Sequence, residues 1–329
     1  MRILVTGSQG FVGHQIEAAV RRICGDAVEI IHTARETEAV PGVDVLDITD
    51  RHSITRALDR HRPTHVLNLA GIAAPAAASA DPDGAWRVNV DGVRLLARAI
   101  LEHLPQTVLV NAGSGLVYGA SFAARKPLDE NALVAPLDDY GATKGAADLA
   151  LGVLARRGLR CVRMRPFNHV GPGQTEAFAI PAFAAQIARI EAGLAPPVIR
   201  VGNLDAERDF LDVRCVAHSY ALALRAGTEL PSGVIINLAS GVSRRIGDVL
   251  DMLLTMSRVP ITVEADPQRL RPSDVPWVGG DTTRARSLLG WAPQVPFEAT
   301  LSVVLEDWRR RISLRRADPG RASRHATGS

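Results

Sequence analysis

The sequence predicts an α/β fold in which helices cover both faces of a parallel sheet. Short apolar runs alternate with longer amphipathic stretches through the first half of the chain, as they do in doubly wound sheets. The 329 residues allow a large core and two lobes. A composition of 47% hydrophobic and 22% charged residues is ordinary for a globular chain.

The alternation assigns the elements in order. Strands are predicted at residues 2–6, 28–33, 64–69, 106–112 and 159–165, and helices at residues 11–23, 50–61, 84–103 and 138–157. Each helix lies between two strands, which is typical of parallel strands joined by helical crossovers.

A glycine-rich turn joins the first predicted strand to the first predicted helix. Gly7, Gly10 and Gly13 are evenly spaced, with Phe11 and Val12 between the last two. Gly7 permits the tight turn, Gly10 lets the backbone approach a pyrophosphate, and Gly13 lets the helix pack against the strand. The helix N-terminus then points at the phosphates. The turn therefore predicts a Rossmann-type dinucleotide site.

A tyrosine and a lysine four residues apart, Tyr140 and Lys144, suggest the chemistry. The chain has only two lysines among its 38 basic residues and only three tyrosines. Residues four apart share one face of a helix, where a compact ammonium can lower the pKa of a phenol from its usual ~10. The planar fork of arginine does this less well. The pair predicts a tyrosine that exchanges a proton.

The charge distribution argues against a nucleic-acid-binding protein. The net charge is +3. Residues 313–329 account for all of it, because four arginines there oppose one aspartate, and four minus one gives +3. We predict that this tail is disordered. The remaining body is neutral and only 4% of the residues are aromatic, so we expect no nucleic-acid partner.

The cysteines and apolar stretches indicate the compartment. Cys24, Cys161 and Cys215 are far apart and odd in number, which is typical of reduced packing residues. No apolar stretch reaches the ~18 residues that span a bilayer, and the chain enters a strand-like run at once. We expect a cytoplasmic protein without a membrane segment, a signal peptide or a metal site.

Together, the glycine turn and the Tyr140 and Lys144 pair resemble the extended short-chain dehydrogenase/reductase family, in its sugar-nucleotide branch. The resemblance extends through the final helix to about residue 312, and its last blocks look most like those of GDP-4-keto-6-deoxy-D-mannose reductases and GDP-mannose 4,6-dehydratases. Further matching blocks lie at residues 47–50, 68–71, 89–92, 114–119, 165–174, 201–210, 271–274 and 288–291.

The resemblance also implies how the chain divides. A Rossmann-type NAD(P)-binding domain is expected at residues 1–168 plus about 209–239. A smaller C-terminal α/β lobe, at residues 169–208 plus 240–312, is expected to bind the sugar nucleotide. The rest of the chain is the predicted tail.

The implied cofactor is NADPH or NADH. An NAD-selective site offers a carboxylate at the end of the second strand, but this strand runs to Arg35 with no acid before Glu36. Arg35 could accept a 2′-phosphate, which favours NADPH, or it could simply be solvated. By resemblance, Asp47 and the amide of Ile48 meet the adenine. Leu69, Ala70, Gly71, Tyr140, Lys144 and Phe167 are also expected at the cofactor, with Asn89 steadying the strands behind it and residues 72–80 capping the cleft.

The resemblance assigns catalysis to Ser114, Tyr140 and Lys144. Tyr140 donates a proton to the C4 ketone oxygen as hydride arrives, Lys144 lowers the pKa of Tyr140 and holds the nicotinamide ribose, and Ser114 bonds the carbonyl oxygen. Related 4,6-dehydratases carry a carboxylate two residues after this hydroxyl residue, as the base for eliminating water. This chain has Leu116 there, so dehydration is not expected. A cysteine and histidine pair suited to 3,5-epimerisation is not evident either.

The implied substrate is a GDP-linked 4-keto-6-deoxyhexose. Arg208 and Arg271 are expected at its diphosphate, Asp274 at the nucleoside ribose, and Asn168 at the diphosphate or the sugar. Arg208 could instead form a surface ion pair with its acidic neighbours. The expected product is GDP-D-rhamnose, or GDP-6-deoxy-D-talose if hydride reaches the other face of the ketone.

Two other functions stay open. An NAD-dependent sugar-nucleotide 4-epimerase uses the same three residues, retains its NAD and returns the hydride. A cofactor-sensing regulatory protein of this fold would commonly lack the tyrosine or the lysine. A homodimer is also expected, because many relatives pair through the helices predicted at residues 84–103 and 138–157. Leu95, Leu96 and Leu149 are candidate interface residues there, or they pack against the sheet.

Overall fold

The computed structural model describes residues 1–35, 41–270 and 275–317. Its strands are β1 Arg2–Thr6, β2 Glu29–Ala34, β3 Val43–Val45, β4 His65–Asn68, β5 Val108–Ala112, β6 Cys161–Pro166, β7 Asn168–Val170, β8 Val198–Val201, β9 Glu207–Asp212, β10 Val234–Leu238, β11 Ser243–Arg245 and β12 Thr262–Ala265. Its α-helices are α1 Gly13–Cys24, α2 Arg51–His61, α3 Pro75–Ala80, α4 Pro82–Trp86, α5 Val93–His103, α6 Asp139–Arg156, α7 Ala179–Glu191, α8 Val213–Ala226, α9 Ile246–Thr255, α10 Thr283–Leu289 and α11 Phe297–Ala317.

Seven strands form one parallel sheet in the order β10-β6-β5-β4-β1-β2-β3. All four residues of β4 are buried, as are the last four of β1, because helices cover both faces of such a sheet. On one face α2, α5 and α6 pack over a cluster that includes Leu4, Val66 and Leu109. The predicted doubly wound sheet is confirmed. Two smaller sheets have the orders β11-β9-β7 and β12-β8.

Three local features differ from the predicted elements. The helix predicted at 84–103 consists of α4, a π-helix at Arg87–Gly92 and α5. A 3₁₀-helix at Gly115–Ala124, kinked where Gly119 has φ 41°, was not predicted at all. The last helix runs to Ala317, so the tail predicted to be disordered from residue 313 is helical for its first five residues. Leucine and arginine favour helix there.

The chain divides into two compact units. The first, here called the sheet unit, contains Met1–His169, Asp209–Ser243 and Trp277–Gln294. The second unit contains Val170–Arg208, Arg244–Pro276 and the chain from Val295 onward.

One segment was expected elsewhere. Residues 277–294 were assigned to the substrate lobe, but they belong to the sheet unit, where Arg284 Nη1 donates to the Ile235 carbonyl (3.0 Å). Trp291 Nε1 likewise donates to the Cys215 carbonyl, at 3.0 Å. Among the described residues, no helix is both long and apolar enough to cross a membrane.

Candidate active site

The glycine-rich turn fits a pyrophosphate closely. Gly7 has φ +63°, and a Cβ built there would lie 2.8 Å from the Ala70 nitrogen. A Cβ on Gly13 would lie 2.3 Å from the Ser8 carbonyl oxygen, whereas a Cβ on Gly10 meets only the Gly7 oxygen at 3.2 Å. Gly7 and Gly13 are therefore required for packing, and Gly10 keeps the exposed side of the turn free of side-chain atoms. This is a cradle that a dinucleotide pyrophosphate can fill.

Polar side chains at the carboxyl ends of three strands form a chain that sequence reasoning missed. Thr6 Oγ1 donates to Asn68 Oδ1 (2.6 Å), and Asn68 Nδ2 donates to Asn111 Oδ1 (2.8 Å). The Ala70 nitrogen also donates to Thr6 Oγ1, at 3.2 Å. These bonds fix the loop at residues 69–71 against the glycine turn. A polar residue at or next to the carboxyl end of each of three apolar strands is the signal that could have identified them.

Asn89 links the same loop to α6. It lies in the π-helix, and its Nδ2 donates to the Ile72 carbonyl and to Thr143 Oγ1, both at 3.1 Å. Its Oδ1 accepts from the Ile72 nitrogen at 2.9 Å. Asn89 therefore holds the loop after β4 and helix α6, rather than the central strands as expected. π-helical turns often occur at such functional positions.

Ser114 begins the 3₁₀-helix. Its Oγ accepts from the Leu116 nitrogen at 3.1 Å, which caps the helix start. The Ser114 side chain lies close enough to Tyr140 to lower the pKa of the phenol, so the structure brings these two predicted residues together. Leu116 packs against the cluster that contains Tyr140, and it offers no carboxylate.

Tyr140 and Lys144 lie on the buried face of α6, which starts where Asp138 accepts from the Gly141 nitrogen at 2.6 Å. The Tyr140 ring packs with Ala78 of α3 and Ala85 of α4. Lys144 Nζ lies 5.9 Å from the centre of the Tyr140 ring and donates to the Ala112 carbonyl at 3.3 Å.

The expected lowering of the tyrosine pKa is wrong for this arrangement. Burial raises the pKa of Tyr140, and the nearby Ser114 side chain opposes the shift only in part. Burial also lowers the pKa of Lys144 to about 8. Desolvation of both groups therefore outweighs the attraction between an ammonium and a phenolate.

Asp47, Ile48 and Arg35 are the residues predicted to lie near the adenosine of the cofactor. Asp47 Oδ1 accepts from the Thr49 nitrogen (2.8 Å) and the Thr49 hydroxyl (2.7 Å). Ile48 is buried, and Arg35 is exposed just after β2. Glu36 lies outside the described residues.

The three residues that follow β6, Phe167 to His169, lie in different surroundings. The Phe167 ring is buried between Tyr118 and Phe122, inside an aromatic cluster rather than on an open face for a cofactor. His169 stacks on Phe11 of the glycine turn, with ring centres 5.9 Å apart, and burial lowers its pKa. The buried Asn168 Oδ1 has no hydrogen-bond partner among the described residues, which is typical of an atom that meets a polar ligand.

The substrate candidates are only partly described. Arg208 is partly buried, and its Nη1 donates to the Glu207 carbonyl at 2.9 Å. Its neighbour Asp209 turns inward, where the carboxylate accepts from the nitrogens of Ser240 and Gly241. Arg271 and Asp274 lie outside the described residues. No group of three or more metal-ligating side chains occurs in the part of the chain that the structure describes.

Comparison with known proteins identifies the family. Residues 3–239 match the NAD dependent epimerase/dehydratase family. The chain belongs to this family. GDP-6-deoxy-D-mannose reductase of Pseudomonas aeruginosa is 31% identical over 94% of this chain and 98% of its own length.

Solved structures of this family agree with the fold. RMD from Pseudomonas aeruginosa, complexed with NADPH, superposes with a TM-score of 0.82 at 29% identity, covering 94% of this chain and 99% of that one. The UDP-glucose 4-epimerase of Thermus thermophilus in complex with NAD gives 0.81 at 26% identity, with the same coverage of 94% and 99%. The predicted membership of the extended short-chain dehydrogenase/reductases is confirmed. The chain is an NAD(P)-dependent enzyme of the class that acts on nucleotide sugars.

Proposed function

We propose that the protein is a cytoplasmic NAD(P)H-dependent reductase that converts the C4 ketone of GDP-4-keto-6-deoxy-D-mannose to a hydroxyl. The product is GDP-D-rhamnose, or GDP-6-deoxy-D-talose if hydride reaches the opposite face of the ring. The main supporting observation is that Ser114 and the buried Lys144 both lie beside Tyr140, whereas Leu116 occupies the position from which a dehydratase base would act. Tyr140 can donate a proton to a carbonyl oxygen, but Leu116 cannot remove a proton from a neighbouring carbon.

The protonation states of Tyr140 and Lys144 suit the reduction of a ketone. A bound reduced nicotinamide supplies the hydride. Tyr140 donates its proton to the C4 oxygen, and its raised pKa keeps the phenol protonated until that oxygen becomes basic. Ser114 donates a hydrogen bond to the same oxygen as negative charge develops there. Lys144, whose pKa is about 8, remains largely protonated at neutral pH and offers Nζ–H donors beneath the tyrosine.

The proposal also assigns residues to the cofactor and to the substrate. Gly7, Gly10, Gly13, Phe11 and Val12 hold the pyrophosphate, and Arg35 favours NADPH. Asn168 bonds the sugar or diphosphate through its buried Oδ1. On the resemblance, Arg208 and Arg271 bind the diphosphate and Asp274 binds the nucleoside ribose.

The test is oxidation of NADPH, and in parallel NADH, by purified protein given GDP-4-keto-6-deoxy-D-mannose, with proton NMR of the product. We expect rapid oxidation, and the coupling of the C4 proton separates the rhamnose product from the talose product. Absence of oxidation by a folded protein that binds the cofactor would contradict the proposal.

The second candidate is a sugar-nucleotide 4-epimerase. The structural similarity to the UDP-glucose 4-epimerase of Thermus thermophilus, with its TM-score of 0.81, favours it. Such an enzyme would purify with bound NAD, interconvert UDP-glucose and UDP-galactose, and show no net cofactor turnover. Incubation with UDP-glucose, followed by NMR of the sugar, decides between the two.

We also propose a homodimer that pairs through α6. Leu149 is 62% exposed and Val153 is 51% exposed on this helix, and residues four apart share one face. Leu96 is buried in the core and Leu95 is partly buried against it, so these two candidates pack inward. Light scattering should show a dimer that Leu149→Glu dissociates. Leu194→Glu, at a position 58% exposed in the second unit, is the matched control, and its loss of the dimer would contradict this interface.

A further inference from the structure

A buried polar network lies on the sheet side of the candidate active site, and nothing in the proposed chemistry uses it. It joins Asp148 of α6, Arg165 of β6 and Tyr118 of the 3₁₀-helix, all buried. Arg165 Nη2 donates to Asp148 Oδ2 at 2.6 Å, and Arg165 Nη1 donates to the Tyr118 hydroxyl at 2.8 Å. Arg163 Nη1 adds a second contact to Asp148 Oδ2, at 3.2 Å.

The network continues into the next strand. The Tyr118 hydroxyl donates to Asn237 Oδ1 of β10 at 2.8 Å, and Asn237 Nδ2 donates to the Leu128 carbonyl at 3.0 Å. Glu130 Oε1 accepts from the Asn237 backbone nitrogen at 2.8 Å. Burial raises the pKa of Tyr118, so its hydroxyl stays neutral and keeps donating.

The elements joined by this network are those that carry the proposed catalytic residues. Asp148 lies one helical turn beyond Lys144 and two beyond Tyr140, on the same face of α6. Tyr118 lies four residues after Ser114, within the 3₁₀-helix that Ser114 caps. A rotation of either helix would therefore change the Ser114 to Tyr140 contact.

Stability alone is a poor reason for such a network. Buried ion pairs often contribute little net stability compared with apolar residues of similar size. Arg165 Nε is buried without a hydrogen-bond partner among the described residues, which is itself unfavourable. We therefore attribute the network to the accurate positioning of the elements that it joins, rather than to a net gain in stability.

We propose that Asp148 and Tyr118 are positioning residues, which hold α6 against the 3₁₀-helix through Arg165 and thereby set the contact between Ser114 and Tyr140. The kinetic part of this inference rests on the proposed reductase function. The geometric part does not, since it concerns only the placement of Ser114 beside Tyr140.

The kinetic test compares two variants that each remove one buried hydroxyl. Tyr118→Phe keeps the ring in its aromatic cluster. Thr107→Val is nearly isosteric and removes a hydroxyl that donates to the Pro63 carbonyl at 2.6 Å, just before β5 and away from the site. We expect Tyr118→Phe to lower kcat about tenfold with little change in KM, because small misplacements of reacting groups are costly. Thr107→Val should leave both constants unchanged.

The geometric test uses the fact that the chain has only three tyrosines. Labelling with 3-fluorotyrosine gives one ¹⁹F resonance for each, and single Tyr→Phe variants assign them. The nearby Ser114 side chain lowers the pKa of Tyr140, so moving the two groups apart should move the Tyr140 titration midpoint to higher pH. We expect that shift in Tyr118→Phe and in Asp148→Asn, and not in Thr107→Val.

The outcomes are separable. If Tyr118→Phe loses stability as Thr107→Val does, while kcat and the Tyr140 midpoint stay at wild-type values, the network is only structural and the proposal is wrong. If wild-type protein does not reduce the keto sugar, the proposed function fails, and the ¹⁹F midpoints alone decide the positioning role. Should Asp148→Asn not fold, Tyr118→Phe still decides it.

Discussion

Polar side chains stabilise the interior of the sheet unit and that of the second unit in different ways. In the sheet unit the polar side chains near the candidate site are buried and bond each other, as Asn68 does with Asn111 and Asn89 with Thr143. In the second unit a partly buried charged pair joins two helices. Arg309 of α11 bonds both oxygens of Glu191 of α7, at 2.6 and 2.7 Å. Strand β12 is exposed at every residue.

Under the proposed function, the two units carry different tasks. Proton transfer needs groups fixed to a fraction of an ångström, and rigid, mutually bonded side chains supply this. Recognition of a diphosphate uses guanidinium groups that bond the phosphate oxygens bidentately. We therefore expect substitutions in the sheet unit to change turnover or stability, and those at Arg208 to change affinity.

Tyr140→Phe gives the largest expected effect. Removing the hydroxyl deletes the proposed proton donor, so kcat should fall about a thousandfold, while KM and NADPH binding change little. Steady-state kinetics and cofactor fluorescence measure these quantities. Undiminished function of the protein without this hydroxyl would instead favour a cofactor-sensing regulatory role.

Arg208→Lys is the matching change in the second unit. Lysine keeps the charge but loses the bidentate fork, so KM for the sugar nucleotide should rise about tenfold with kcat nearly unchanged. A fall in kcat without a change in KM would remove the distinction between the two units.

Lys144→Met should stabilise the protein while it abolishes activity. Burial lowers the pKa of Lys144 from 10.5 to about 8, so the charged form costs about 3 kcal/mol of stability at pH 7. Between those two pKa values the unfolded chain binds more protons than the folded protein, so wild-type stability rises with pH. The advantage of the variant is therefore greatest below pH 8 and shrinks as the pH approaches 10.5.

Urea unfolding at pH 7 and pH 9.5 measures this. Lys126→Met is the control, because Lys126 is the only other lysine of the chain and is exposed, and surface changes rarely exceed ~0.5 kcal/mol. A gain that is equal at both pH values, or equal in the two variants, would show that burial of the charge is not the cause.

Local pattern predicted the sheet unit well. The parallel strands and the glycine turn follow from apolar runs and from glycine spacing, which are short-range signals. The polar chain of Thr6, Asn68 and Asn111 was missed because it forms only when three distant strands align. The pKa of Tyr140 was predicted in the wrong direction for a related reason. Sequence shows that a lysine is near, but it does not show how much water burial removes from both groups.

A further comparison uses two glycines, one from each unit. Gly13→Ala would place a Cβ 2.3 Å from a backbone oxygen, so we expect a loss of about 2 kcal/mol together with weaker NADPH binding. At Gly193 the Cβ would meet nothing within 4 Å, and only its φ of +69° opposes alanine, which costs about 1 kcal/mol. Thermal unfolding and cofactor titration should show both losses for Gly13→Ala. Only the smaller loss of stability is expected for Gly193→Ala. Equal cofactor affinity in the two variants would mean that the glycine turn does not contact the cofactor.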